Sequence, residues 1–315
     1  MTCGRPGFSP RSVTAVAAAL VLLLAGALFS PFSDRAEAWV HAVATTGMIA
    51  DAVRAVGGDR VDVVGLMGPG VDPHLYRASQ GDVRRLASAD IIFYNGLSLE
   101  GRMEEILERM ARQKPTVAVS ESIPAALLLE PEGFAGQYDP HIWFDVALWK
   151  MAVERIRDGL IQVDPEGEAV YRANAEAYLA ELDELDAYIR RKVAELPAQS
   201  RVLVTAHDAF GYFGRAYGIE VVGLQGISTD TEVGLRDIQN LVAFLIERRI
   251  RAVFVESSVP RRALEAVIQG AASRGHTVAI GGELFSDALG EPGTPEGTYA
   301  GMMRYNIDTI VAALK

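Results

Sequence analysis

From Val40 onward the chain alternates between short β-branched apolar runs and stretches whose apolar residues recur every three or four positions. The first pattern predicts strands and the second predicts amphipathic helices. In the first half, strands are expected at Val40–Thr45, Arg60–Leu66, Ile91–Tyr94 and Thr116–Val119. Helices are expected between them over Met48–Val56, Gln80–Ala87 and Leu99–Ala111. The second half repeats the grammar, with strands at Arg201–Thr205, Glu220–Leu224, Ala252–Val255 and Thr277–Ile280. Its helical patterns cover Ala209–Tyr217, Leu235–Arg248, Arg261–Ala272 and Tyr299–Leu314. Strands alternating with helices imply βαβ units and a parallel sheet. Such strands are buried on both faces, which accounts for their mostly apolar composition.

Between the halves lies Pro165–Leu196, with no glycine after Gly167 and no proline until Pro197. Asp164-Pro165 reads as an N-cap followed by proline at the first helical position. Apolar residues then recur at Tyr171, Ala175, Tyr178, Leu179, Leu182, Leu185, Ile189 and Val193. A helix of ~30 residues spans ~45 Å. The expected fold is therefore α/β, with two lobes, each built on a mainly parallel four-stranded sheet, joined by one long bridging helix. The lobes take residues 39–163 and 198–315, and the bridge takes 164–197. A continuous helix resists bending, so it should permit only small tilts between the lobes.

The start of the chain adds a compartment. Arg5 and Arg11 precede an apolar run from Val13 to Phe29, and Ala36-Glu37-Ala38 follows a short polar stretch. A basic segment, an apolar segment and an A-x-A site are the parts of a secretory signal peptide. Residues 1–38 are read as that signal, with the mature chain starting near Trp39; an uncleaved N-terminal anchor is the alternative. Cys3 is the one cysteine and lies before the apolar run, where no lipid-bearing cysteine would sit. The mature chain then lacks thiols, so any metal site must use nitrogen and oxygen. The 315 residues, 50% hydrophobic and 23% charged, suffice for two real cores. The formal charge of −11 argues against nucleic acid and anionic membrane as partners.

The five histidines carry the candidate chemistry. Two occur in the same tripeptide, Asp72-Pro73-His74 and Asp139-Pro140-His141, each after a glycine-containing loop. Proline restricts itself and the residue before it, so each imidazole has a set direction. Asp72 and Asp139 are candidates to accept the other ring N–H, which would fix the tautomer. His207 follows the strand Arg201–Thr205, at the carboxyl end where open α/β sheets bind ligands. Asp208 beside it reads as a helix cap. Asp287 lies beyond the last strand. Glu256 ends another strand, as a ligand, an outer acceptor or a capping group. His41 and His276 read as incidental. Three imidazoles and one carboxylate suit Zn²⁺, and a bidentate carboxylate would also suit Mn²⁺.

Taken together, these segments resemble the cluster A-I, or cluster 9, substrate-binding proteins of ABC transporters for zinc, manganese and iron. The matching stretches are Val71–Tyr76, Asp139–Trp143, Ala206–Phe213, Gly226–Thr229, Phe254–Ser257 and Phe285–Gly290, and they run in order along the mature chain. The resemblance implies a metal buried between two lobes. It implies His74 and His141 from the first lobe, and His207 and Asp287 from the second. It also implies a periplasmic monomer that captures Zn²⁺ or Mn²⁺ and delivers it to a membrane permease with its cytoplasmic ATPase. Many zinc-specific members carry a long His-rich loop where this chain has the short Glu130–Tyr138. Members regarded as manganese or iron binders often have Glu where this chain has His207. Two other classes compete. A secreted zinc hydrolase would use Glu256 as general base, but His-Glu-x-x-His and Gly-x-Ser-x-Gly are both missing. A binding protein for a siderophore or haem would share the two-lobe plan but need a large cleft.

Overall fold

The computed structural model describes residues 1–4, 39–131 and 136–315. The chain divides into two units, Met1–Ala38 and Trp39–Lys315, and the second is the one described below. The expected signal segment lies almost wholly outside the described residues. No helix among those described is long and apolar enough to cross a membrane.

Two parallel sheets of four strands form the frame. The first contains β1 (Val40–Ala44), β2 (Val61–Gly65), β3 (Ile91–Tyr94) and β4 (Thr116–Ala118), in the order β2-β1-β3-β4. The second contains β5 (Val202–His207), β6 (Glu220–Gln225), β7 (Ala252–Glu256) and β8 (Ala279–Leu284), in the order β6-β5-β7-β8. The same order recurs in both halves, so the chain repeats an architecture. In each sheet the order reverses beside the first strand, at β1/β3 and at β5/β7. Ligands of open α/β sheets bind at such a switch point, beyond the carboxyl ends of the strands. In the second sheet every residue of the central strands β5 and β7 is buried, and in the first β1 and β3 are buried except at His41 and Tyr94.

The helices are α1 (Gly47–Gly57), α2 (Gln80–Ser88), α3 (Glu104–Ala111), α4 (Val146–Val163), α5 (Glu168–Ala194), α6 (Gly211–Tyr217), α7 (Leu235–Glu247), α8 (Arg262–Ser273) and α9 (Tyr299–Leu314). The sequence reading named no element over Val146–Val163. Asp145 caps this helix by accepting the Ala147 N–H at 3.0 Å. Its buried set includes Val146, Trp149, Ala152, Val153, Ile156 and Leu160, spaced by three and four.

The bridging helix α5 has 27 residues, so it is ~40 Å long. Its buried stripe runs Tyr171, Ala175, Tyr178, Leu182, Leu185, Ile189 and Val193. The stripe packs on α1 and α4 of the first half and on α9 of the second. One hydrophobic core consequently runs through both halves, from Ile91 and Phe93 through Leu182 and Leu185 to Phe254 and Ile307. Each sheet has a smaller separate core on its outer face.

Three local expectations are corrected. Asp164 is not a side-chain cap of the long helix, because a 3₁₀ turn over Pro165–Gly167 intervenes. Its carboxylate instead takes Arg60 Nε at 2.9 Å, Arg60 Nη2 at 3.1 Å and the Tyr171 hydroxyl at 2.7 Å. Asp208 does not cap α6 either; Phe210 occupies that position without a side-chain bond. The last strand is Ala279–Leu284, not Thr277–Ile280. Gly281 and Gly282, just beyond the expected strand, lie inside this edge strand. A Cβ on Gly281 would stand 2.8 Å from Ala313 and 2.9 Å from the Phe254 ring. Glycine there permits α9 to pack against the sheet.

Burial would raise the Asp164 pKa, but the Tyr171 hydroxyl and the Arg60 guanidinium outweigh it and hold it below the ordinary value. A depressed carboxylate stabilises the fold above its unfolded pKa of about 3.9, and that contribution fades as pH falls through the folded value. Asp164→Asn is expected to cost about 1–3 kcal/mol at neutral pH. Thermal melts of parent and variant should differ at pH 7 and converge as the pH falls below about 4.

Candidate metal centre

The two Asp-Pro-His loops both open beyond the first sheet. His74 lies in the connection between β2 and α2, and His141 precedes a 3₁₀ turn over Ile142–Phe144. His207 is the last residue of β5, one step inside the strand rather than after it. Asp287 lies three residues past the end of β8. Each residue offers one ligand atom, and these atoms all lie within 4.8 Å of one another. All four residues are buried.

The spacing of these atoms has chemical content. His74 Nε2 and His141 Nε2 are 3.3 Å apart. Asp287 Oδ1 is 3.4 Å from His141 Nε2, and Asp287 Oδ2 is 3.3 Å from His207 Nε2. Four ligands held 2.0–2.1 Å from a tetrahedral centre stand about 3.3–3.5 Å from one another. These three separations fall in that range, two of them to different oxygens of Asp287, and the remaining ones reach no further than 4.8 Å. Among the described residues, His207 Nε2 and Asp287 Oδ1 are buried without a hydrogen-bond partner. Such orphaned atoms are costly unless an ion satisfies them. Both carboxylate oxygens of Asp287 face imidazoles, so the group can serve through one oxygen or two.

Outer carboxylates orient two of the rings. Asp139 Oδ1 lies 2.7 Å from His141 Nδ1 and also accepts the His141 backbone N–H at 2.9 Å. Glu256 Oε2 lies 2.5 Å from His207 Nδ1, and its Oε1 accepts the His207 backbone N–H at 2.8 Å. The Asp139 contact favours a ring proton on His141 Nδ1, with Nε2 turned to the centre, and Glu256 stands close to His207 Nδ1 in the same sense. Asp72 departs from expectation. It accepts the backbone N–H of His74 at 2.9 Å, not its ring, and its other oxygen takes the Thr229 hydroxyl at 2.6 Å. With Thr229 of the second half engaging its other oxygen, this carboxylate shapes the loop and leaves the His74 ring alone.

The neighbouring charges divide the histidines. Burial, reinforced by the adjacent His141 and His207, pushes His74 down to about 3. Burial acts in the same direction on His141, but Asp139 and Asp287 override it and push the ring up to about 9. Asp287 itself is held well below the ordinary carboxylate range, because the attraction of His207 and His141 outweighs its burial.

Several supporting residues had no individual role assigned from the sequence, although Tyr212 and Ser286 lie in the stretches that carry the resemblance. Gly223 on β6 lies against the end of β5, and a Cβ there would approach the Asp208 nitrogen to 2.5 Å and the His207 carbonyl carbon to 2.7 Å. The Tyr212 hydroxyl donates to the Asp139 carbonyl at 2.9 Å and accepts the Leu129 N–H at 3.1 Å. Ser258 and Ser286 share a hydrogen bond of 3.0 Å beside Asp287. His41 and His276 lie away from the cluster, near Asp62 and the Ile250 carbonyl respectively.

The chain matches known proteins over nearly all of this fold. The family model for zinc-uptake complex component A periplasmic (ZnuA) covers residues 42–313. Manganese-binding lipoprotein MntA of Bacillus subtilis is 50% identical over 303 residues, which cover 93% of this chain and 99% of that protein. Zinc-binding protein TroA of Treponema pallidum is 53% identical over 272 residues, covering 86% of this chain and 88% of that protein. The solved structure of periplasmic zinc binding protein TroA from Treponema pallidum superposes with a TM-score of 0.86 at 52% identity, over 88% of this chain and 99% of that one. With its fold shared with TroA and the family pattern spanning both sheets, the chain belongs to the ZnuA family of periplasmic zinc-uptake components.

Proposed function

We propose that this protein is an extracytoplasmic capture subunit that binds one Zn²⁺ or Mn²⁺ through His74, His141, His207 and Asp287 and delivers it to an ABC permease driven by its ATPase. The observation that carries this reading is the convergence of the four ligand atoms within 4.8 Å at the facing carboxyl ends of two sheets. His74 and His141 come from the first lobe, residues 39–163, and His207 and Asp287 from the second, residues 198–315. Capture draws ligands from both sides onto one ion, and release requires the sides to part. Asp139 and Glu256 hold two rings in the ligating tautomer, and Asp72 holds the His74 backbone. The protein acts as a monomer in the periplasm, exported by a cleaved signal in residues 1–38. Cys3 precedes the apolar run of that segment, so the mature form carries no lipid on cysteine.

The cation is a bare ion. Ligand atoms this close together, on buried side chains, suit an ion and not a chelate such as a siderophore or haem. Hydrolysis is disfavoured by the same geometry. Asp287 fills the fourth position that a catalytic zinc keeps open for water, and Glu256 is committed to His207 rather than available as a general base. The donor set suits zinc through one Asp287 oxygen and manganese through two. The names of the relatives divide in the same way, manganese-binding for MntA and zinc-binding for TroA. Metal analysis of protein from its native compartment, followed by Zn²⁺ and Mn²⁺ competition, decides between them.

Removing a ligand should cost more than disturbing an outer acceptor. In titrations against a competing chelator, Asp287→Ala and His74→Ala are expected to weaken zinc binding by more than about 100-fold. Glu256→Gln keeps the shape but loses the carboxylate, and should weaken it by about 10–100-fold. Unchanged affinity in either ligand variant would remove the basis of the assignment.

Metal loading should also stabilise the fold, since the unfolded chain cannot gather the four groups. With free metal at about 1,000 times Kd, the gain is about 4 kcal/mol. Melting with and without EDTA should show a clear upward shift for the loaded protein. The shift should vanish in Asp287→Ala.

A further inference from the structure

The contacts that join the two lobes around the metal ligands fall into two unlike sets. On the side of α5 they are buried. Trp143, two residues past His141, donates its indole N–H to the Ser286 carbonyl beside Asp287 at 3.0 Å. Tyr299, at the start of α9, donates its hydroxyl to the Trp143 carbonyl at 2.7 Å and stacks on Trp149 at 5.1 Å. Trp143, Tyr299 and Ser286 are each at most 1% exposed. His141 and Asp287 are thus tied together across the lobes by a wall continuous with the shared core.

Beside His74 the contacts are more exposed, as is the pairing of Arg215 with the Leu127 carbonyl and Asp145 elsewhere between the halves. The stretch after β6 crosses to the first lobe through two consecutive residues. Thr229 donates its hydroxyl to Asp72 Oδ2 at 2.6 Å, and Asp230 pairs with Arg102. The Arg102 and Asp230 side chains are 33% and 56% exposed. Gln225, at the end of β6, fixes the root of this strap by donating to the Thr229 carbonyl at 2.9 Å. Asp72 has a second task, since its Oδ1 accepts the backbone N–H of His74. His74 is also the most exposed of the four ligands, and Leu75 after it is 39% exposed.

We propose that Thr229 and Asp230 form a strap that gates the metal site, so that the cation enters and leaves past His74 when the Thr229–Asp72 and Asp230–Arg102 contacts part, while the Trp143–Ser286 bond keeps His141 and Asp287 together. The proposal rests on the capture reading above and assigns it a route. Contacts open to water separate more readily than buried ones, because water replaces each lost partner. The common core and the continuous helix confine the lobes to a small tilt, which the outer contacts can absorb without disturbing the aromatic wall. Once Thr229 withdraws, the carboxylate that shapes the His74 loop loses half of its hold. Opening the gate and loosening one ligand are therefore a single motion.

The test is the rate at which zinc-loaded protein yields its metal to excess chromogenic chelator in stopped flow. Thr229→Val removes the hydroxyl but keeps the shape, and should speed release by about tenfold to a hundredfold. Thr229→Ser should return the rate to near that of the parent. The metal-free Thr229→Val protein should lose no more than the one hydrogen bond is worth, about 1–3 kcal/mol in a melt, the equivalent of that tenfold to hundredfold, and a larger loss would mark a structural role and overturn the gate. A complementary protein carries Arg102→Cys and Asp230→Cys in a Cys3→Ser background, with the pair bridged by a short bis-maleimide. Bridging should slow release at least about tenfold relative to the unbridged protein. Release from Thr229→Val at the parent rate, or from the bridged protein at the unbridged rate, would overturn the gate and leave the capture reading standing. Failure of the parent itself to bind zinc would overturn the capture reading, and the gate with it.

Discussion

Four polar side chains buried in one small volume set the terms for the rest of this molecule. An imidazole or carboxylate taken out of water alone is costly, and several crowded together are tolerated only with specific partners. Asp139 and Glu256 supply partners on the outer side of two rings, each bound to the same histidine through both ring and backbone. The inner faces point at one another, where a shared cation would balance the charge of Asp287 and satisfy the His207 Nε2 that protein groups leave bare. Polar groups placed so unfavourably for stability, yet so well for a common centre, mark a binding site.

The fold meets this demand by repetition. Two sheets with the same strand order each present a switch point, and the carboxyl ends of both supply the ligands. His207 and Glu256 end neighbouring strands, β5 and β7, so their contact follows directly from the sheet order. The sheets must then be held facing each other. Helix α5 does this through its apolar stripe, which contributes to one core shared by helices of both halves. A hinge made of loop alone would let the ligands separate widely. A helix with a shared core limits them to small displacements, which suits a site whose ligand atoms all lie within 4.8 Å of one another.

Aromatic residues link that core to the site. Tyr299 begins the last helix, donates its backbone N–H to the Asp51 carboxylate, and reaches the Trp143 carbonyl with its hydroxyl. Trp143 in turn reaches the Ser286 carbonyl. A change in the packing of α9 is thereby coupled to the relative position of His141 and Asp287. Solvent-side contacts have no such backing, and this asymmetry gives the site a rigid side and a yielding one.

Much of this was legible in the residue order. Hydrophobic periodicity located seven strands and the long helix, because burial on both faces of a strand or along one stripe of a helix leaves a local pattern; the last strand, Ala279–Leu284, was displaced and the helix Val146–Val163 passed over. Repeated Asp-Pro-His tripeptides and a histidine at a strand end singled out the three imidazoles, since proline and strand termini restrict direction locally. Other features depend on neighbours distant in the chain. Nothing local distinguishes Asp72, which bonds to a backbone N–H, from Asp139, which bonds to a ring; the difference is that Thr229 from the other half engages Asp72. Glu256 could be read three ways until the strand order placed it beside His207. Gly223 and Gly281 look like ordinary glycines until His207 and Phe254 are seen where a Cβ would stand. The sequence by itself determined which elements form and which side chains are suited to ligate. Tertiary structure alone decided which of them meet, because a contact between residues far apart in the chain is set by the packing of whole sheets and helices and leaves no periodic trace near either partner.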